Sequence, residues 1–261
     1  MKRLYFYPMK KTAFIILTFL SLVIQVSAQR NVRDSIIGTP WVAANYGASF
    51  PSGDLIDRFG YLNHLGILAG YKTTKNWFFG IDGNFMFGKK INLDDPLTHL
   101  RDSKGNITDQ NGDVAGVLFF SRGFNLNATV GKVIPIFGSN KNSGLFIQAG
   151  AGYLAYKLRI ETQDHVVPQI ELDYKKGYDR LTVGLNTHQF LGYAFMANRG
   201  FVNFYGGFYI QEGFTRNARD IFYDQPNTPV SKDLRLDLQY GLKLGWFIPI
   251  YKRLPKEFYY D

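Results

Sequence analysis

The chain has 261 residues, a formal charge of +9, no cysteine and an aromatic share of 16%, with 23 Phe, 17 Tyr and 27 Gly. The lack of cysteine excludes a disulfide framework and thiol chemistry, and beyond the N-terminal leader no apolar run approaches the ~18 residues that a membrane helix needs. Four cations, Lys2, Arg3, Lys10 and Lys11, lie in that leader; the remaining +5 is too small an excess to point to nucleic acid.

In chain order the first element is an export signal. Lys10 and Lys11 precede an apolar run from Thr12 to Ile24, and Val26-Ser27-Ala28 supplies a cleavage site. Residues 1–28 therefore read as a signal peptide of the general secretory pathway, with the mature chain starting at Gln29. Met9, followed by two lysines, offers a second start. Residues 29–40 follow as a periplasmic N-terminal segment.

Eight strands are expected next, each marked by period-2 alternation. The first, 41–50, has Val42, Ala44, Tyr46, Ala48 and Phe50 on one face and Asn45, Gly47 and Ser49 on the other. The second, 62–72, sets Leu65, Ile67, Ala69 and Tyr71 against His64, Gly66 and Gly70. The third, 77–87, sets Trp77, Phe79, Ile81, Phe85 and Phe87 against Gly80, Asp82 and Asn84. The fourth, 114–133, sets Phe124, Leu126, Ala128 and Val130 against Asn125, Asn127 and Thr129, with Arg122 breaking its apolar face beyond the bilayer edge. The fifth, 145–160, shifts phase near Lys157, which predicts a bulge or emergence from lipid. The sixth and seventh cover 181–195 and 201–214. The eighth is the longest: every even position from Leu234 to Ile250 is apolar, and the odd positions include Arg235, Asp237, Gln239, Gly241 and Lys243.

The connections alternate in length. Those at 73–76, 134–144 and 196–200 are shorter than those at 88–113, 161–180 and 215–233. Together with the even strand count this predicts an all-β fold: an eight-stranded antiparallel transmembrane β-barrel over 41–250, with short periplasmic turns, longer extracellular loops and a periplasmic tail at 251–261. A soluble lipocalin-like barrel has the same period with the faces reversed. The aromatic residues Tyr71, Trp77, Tyr193, Phe195, Phe201 and Trp246 all fall next to the periplasmic strand ends, as an interfacial girdle requires, and favour the membrane. The expected site is the outer membrane of a Gram-negative bacterium.

The first strand and loop, from Gly47 to Asp54, and the pattern Gln239, Gly241, Leu244, Trp246 in the last strand resemble the small outer-membrane barrels of Bacteroidota-type envelopes, OmpA/OmpX- or OmpW-like, and also the PorT-like barrels associated with secretion and gliding. The resemblance covers most of the mature chain and describes architecture. It implies that Gln239, Gly241, Leu244 and Trp246 are read by the barrel assembly machinery. The family often ends on an aromatic residue, whereas this chain runs on from Pro249 to Asp261.

Little catalytic chemistry is legible. His188 faces the lumen beside Asn186, but no serine follows it in the spacing a hydrolase would use, and the expectation is a histidine hydrogen-bonded to its neighbours. Asp82, Asn84, Asn125, His188, Arg235, Asp237 and Lys243 form an expected polar network in the lumen, because an isolated inward charge is costly. The loop Asp109 to Asp113 carries oxygen ligands around a glycine but lacks the distal acid of a calcium loop, so a solvated turn is expected. No cofactor, metal or nucleic-acid partner is expected. The functional expectation is a non-enzymatic barrel that meets outer-membrane lipid and an envelope protein partner; a narrow channel for small or apolar solutes and a lipid-modifying enzyme are the alternatives.

Overall fold

The computed structural model describes residues 35–163, 165–197 and 202–250. The leader, the tail at 251–261 and Phe201 lie outside them. The strands are β1 (Thr39–Gly53), β2 (Leu62–Lys72), β3 (Trp77–Gly88), β4 (Ile107–Thr108), β5 (Val114–Ala115), β6 (Leu118–Ile134), β7 (Gly144–Glu161), β8 (Thr182–Met196), β9 (Asn203–Asn217) and β10 (Arg235–Pro249). Eight of them close an antiparallel barrel in the order β1-β10-β9-β8-β7-β6-β3-β2, and β4 pairs with β5 in a separate ribbon. Closure runs through β1 and β10, from Trp41 opposite Pro249 to Gly53 opposite Asp237.

The alternation settles which face meets which medium. Along β10, Leu236, Tyr240, Leu242, Leu244 and Trp246 are exposed, whereas Asp237, Gln239, Lys243 and Phe247 are buried. The same sorting holds on β2, with Leu65, Ile67 and Tyr71 out and His64, Leu68 and Lys72 in. Apolar residues outside and polar residues inside is the arrangement of a barrel in lipid and the reverse of a soluble one.

One expected strand bound differs, and one pair of alternatives is resolved. Val114 and Ala115 belong to the loop ribbon, and the fourth barrel strand starts only at Leu118. The phase shift near Lys157 is not a bulge: β6 and β7 pair without interruption from Leu118 opposite Glu161 to Ile134 opposite Leu145. What inverts is the environment. Beyond Tyr153 the outward positions become Lys157 and Arg159, and the inward ones become Leu154, Tyr156, Leu158 and Ile160. The strand has emerged from the acyl-chain region, the other reading of the phase shift, so a polar medium lies outside and an apolar core lies within.

The lumen is therefore layered. At the turn end Trp41, Phe78, Phe146, Phe190, Tyr205 and Phe247 belong to one buried apolar cluster. A polar belt fills the middle. At the loop end Leu55, Phe59, Leu62, Met86, Leu154, Tyr156 and Leu158 form a second cluster. Inward glycines make room for these side chains. A Cβ on Gly245 would lie 2.3 Å from the Tyr205 ring.

The connections at the turn end are short, at 73–76, 135–143 and 197–202; those at the loop end span 54–61, 89–117, 162–181 and 218–234. The long loops carry a core of their own. Leu97, Ile107, Ala115, Val167, Ile170 and Tyr178 pack on Ile160 of β7 as a third cluster outside the barrel proper.

Candidate functional site

Two regions concentrate chemistry: the polar belt of the lumen and the loop cap. In the belt, Lys243 on β10 reaches across to Asp82 on β3 at 2.7 Å, with both side chains more than nine-tenths buried. Asn45 Nδ2 donates to the other Asp82 oxygen at 3.4 Å. An amide ladder surrounds the pair: Asn84 donates to Asn125 at 2.9 Å, Asn125 to Gln211 at 3.0 Å, and Asn186 to Asn127 at 2.8 Å.

Arg235 and Asp237 do not join this network. Asp237 sits nearer the loop end and accepts from Tyr156 Oη at 2.7 Å and Thr215 Oγ1 at 2.5 Å. Arg235 and Arg58, the latter from the first loop, both donate to Thr182 Oγ1, at 3.1 and 3.0 Å. Six of the seven expected residues thus divide between two groups, because the register sets Asp237 six residues along β10 from Lys243. His188 departs further from expectation. It is buried, but neither ring nitrogen has a hydrogen-bond partner among the described residues.

The histidine that does pair is His64. Ser49 Oγ and His64 Nε2 lie 2.8 Å apart, and Ser49 also reaches Gln239 Oε1 at 3.4 Å. A serine beside an imidazole is the start of a nucleophile-base arrangement. Both residues are fully buried in the belt, so no substrate reaches them from lipid or water. Sequence reading placed both on the inward face; bringing them together requires the β1–β2 register, in which Ser49 faces Leu62 and Gly47 faces His64.

Sequence reading missed the plug at the turn end. Trp41 stacks on Phe247 at 4.2 Å and lies 5.5 Å from Phe78 and 6.0 Å from Phe146. Beneath it the segment before β1 crosses the mouth: Ile37 N donates to Asn142 Oδ1 at 2.8 Å, and Lys72 Nζ donates to that oxygen and to the Ile37 carbonyl at 2.8 and 2.9 Å.

On the outer wall, Tyr71, Trp77, Tyr193, Phe195 and Trp246 point outward at the turn end, in line with the burial alternation of their strands. Phe137, almost wholly exposed on the turn between β6 and β7, joins this edge through its carbonyl, which accepts from Tyr193 Oη at 3.0 Å. A second aromatic tier rings the loop side: Phe50 contacts Tyr61 and Tyr240 at 5.7 and 6.2 Å, and Phe124 contacts Tyr153 at 6.1 Å. Of the four assembly-signal positions, Gln239 and Gly241 face the lumen and Leu244 and Trp246 face outward.

Charge pairs brace the cap. Asp179 accepts two bonds from Arg219, at 2.9 and 2.6 Å, which raises the Arg219 guanidinium above its ordinary value. Arg180 pairs with Asp224 and lies 3.8 Å from the Phe222 ring. The loop Asp109 to Asp113 is a self-contained turn: Asp109 Oδ1 accepts from the Asn111 and Asp113 amides at 2.8 and 2.9 Å, and Oδ2 lies 3.1 Å from His165 Nδ1. Its oxygens point at the chain, and among the described residues no group of three or more His, Cys, Asp or Glu is placed to hold a metal. The His165 contact, then the two amides, hold the Asp109 carboxyl below its ordinary value. The brace therefore acts fully above the ordinary carboxylate value of about 3.9 and is lost as pH falls through the lower folded one. Carboxyl-carbon NMR should give Asp109 a titration midpoint below about 3.9; a midpoint at or above it would contradict this contact.

No protein-family model matches the chain, and no curated protein matches it. Solved structures do match in outline. Neisserial surface protein A is 11% identical with a TM-score of 0.39, covering 80% of this chain and 98% of its own. A major outer membrane protein from Thermus thermophilus is 11% identical with a TM-score of 0.38, covering 80% and 99%. OprG, an outer membrane protein from Pseudomonas aeruginosa, is 9% identical with a TM-score of 0.35, covering 84% and 99%.

Proposed function

We propose that the chain is a non-enzymatic integral outer-membrane barrel that acts as a structural or interaction subunit of an envelope complex. The turn end faces the periplasm and the loop end faces outward, with Tyr71, Trp77, Tyr193, Phe195 and Trp246 as the inner interfacial girdle. Gln239, Gly241, Leu244 and Trp246 serve assembly. The observation that carries this reading is the pairing of a filled lumen with a packed cap: the interior is packed at both ends, while the loops share a core and part-buried ion pairs. A barrel built for transport has no need of an aromatic layer across its axis, and an interaction module does need a fixed outer surface. The PorT-like resemblance directs the search for partners to secretion and gliding components.

Affinity purification of the tagged barrel from gently solubilised outer membranes tests this. The expected result is one or more envelope proteins recovered in fixed proportion. Recovery of the barrel alone, in several mild detergents, would count against the subunit role. The enzymatic alternative predicts an altered lipid A profile in a deletion strain, and the buried state of Ser49 and His64 argues for no change.

A further inference from the structure

The outer wall carries a tier of cations at the loop end. Arg122 on β6 stands directly opposite Lys157 on β7. Both belong to the outward alternation of their strands, and the Lys157 side chain is 49% exposed. Arg159, two residues further along β7, faces the same way. Like charges opposite one another weaken a strand pair, and the cap gives only partial relief. Arg159 is tied to Glu161 at 2.6 Å. Lys157 reaches Asp179 only at 3.9 Å, and that carboxylate already accepts two shorter bonds from Arg219. Arg122 donates to the Ser121 carbonyl at 2.8 Å and lies 5.0 Å from the Phe120 ring, and it has no carboxylate within ion-pair distance among the described residues.

The height of the tier is informative. Phe124 lies two residues toward the turn end from Arg122, paired with Phe85 and with its ring tilted against that of Tyr153 at 6.1 Å. Below them the wall continues with Leu126, Ala128 and Ala151, all outward. For strands tilted as in membrane barrels, Arg122 and Lys157 stand about 5 Å beyond the Phe124 tier and Arg159, opposite Phe120, about 10 Å beyond it. They face sideways at the level where headgroups replace acyl chains, and the small side chains beneath leave the wall recessed.

We propose that Arg122, Lys157 and Arg159 bind the phosphate of a glycolipid in the outward leaflet, whose acyl chains lie along Phe124, Tyr153 and Leu126. A guanidinium fork and an ammonium match the several charged oxygens of a phosphate, and the anion converts a repulsive cross-strand pair into a clamp. A soluble anion is the poorer occupant, since the cations open onto the membrane flank and not onto the cap. This proposal rests on the outer-membrane reading with the loop end outward.

Native mass spectrometry of the purified barrel tests it, with phosphorylated lipid A and the same lipid stripped of its phosphates offered in equal amounts. Wild type should retain the phosphorylated form at least about tenfold better. R122Q/K157Q should lose that preference, and K132Q, which removes an outward cation at the turn end, should keep it. Equal retention of the two lipids by wild type, or an unchanged preference in R122Q/K157Q, overturns the proposal. Should the double variant fail the heat-modified gel shift that reports a folded barrel, the single variants R122Q and R159Q are judged by the same criterion. The membrane reading fails separately, if the wild-type protein leaves cells without detergent.

Discussion

Replacing Asp82 or Lys243 alone by alanine should destabilise the folded barrel by about 3–5 kcal/mol, because either change strands a charge that water cannot reach. The two meet at 2.7 Å in the middle of the lumen. Neither residue left alone has a second ion-pair partner among the described residues: the Asp82 carboxylate would keep the Asn45 and Asn84 amides, and the Lys243 ammonium lies 5.5 Å from the Tyr209 ring. Unfolding by urea in micelles, followed by tryptophan fluorescence, measures the loss. The double variant D82L/K243M should recover most of it, since a neutral pair of similar volume removes the desolvation cost along with the attraction. Single variants as stable as wild type would show that the pair does not support the barrel.

Trp41→Ala should cost a similar amount, about 3–5 kcal/mol, through loss of buried surface and the cavity left behind. Trp41 is fully buried, and its contacts with Phe78, Phe146 and Phe247 form the layer across the turn end. The same layer has a transport consequence. Eight strands leave an interior that side chains can fill, and here they fill it with aromatic rings. Wild type should give no conductance steps in planar bilayers, and W41A/F247A should give them only to the extent that Ile37, Lys72 and Asn142 fail to hold the mouth. Steady conductance through the wild-type barrel would favour the narrow-channel alternative.

The fold was legible where one medium lies on each side of a strand. In β10 lipid selects Leu236 to Trp246 on the even positions and the lumen selects Asp237 to Lys243 on the odd ones, so the alternation is nearly unbroken. Elsewhere the contrast vanishes for physical reasons. At the turn end both faces are apolar, lipid outside and plug inside, so Trp41 beside Val42, Phe78 beside Phe79 and Phe247 beside Trp246 erase the period. Beyond the membrane the contrast reverses, which gives Leu154 to Arg159 the look of a bulge in a strand whose pairing never slips. Site residues were legible as inward positions but not as partners. Ser49 and His64, or Asp82 and Lys243, meet only once strand order and register are fixed, and sequence spacing carries neither. His188 shows the limit from the other side: an inward polar residue is expected to find a hydrogen-bond partner, and its ring has none among the described residues.

One division of space underlies the fold: apolar side chains to lipid, a packed lumen within. The chain has no cysteine of its own, so single cysteines placed at Leu236, Leu238, Gln239, Tyr240, Leu242, Leu244 and Trp246 can each carry a nitroxide without a second substitution. Collision of that label with oxygen, which concentrates in lipid, and with a water-soluble nickel chelate measures the division directly. The expected result is oxygen access at Leu236, Leu238, Tyr240, Leu242, Leu244 and Trp246, and access by neither reagent at Gln239. Nickel access at Gln239 would reveal an open water-filled pore, and nickel access along the even positions would place the barrel in water; either result contradicts the structure described.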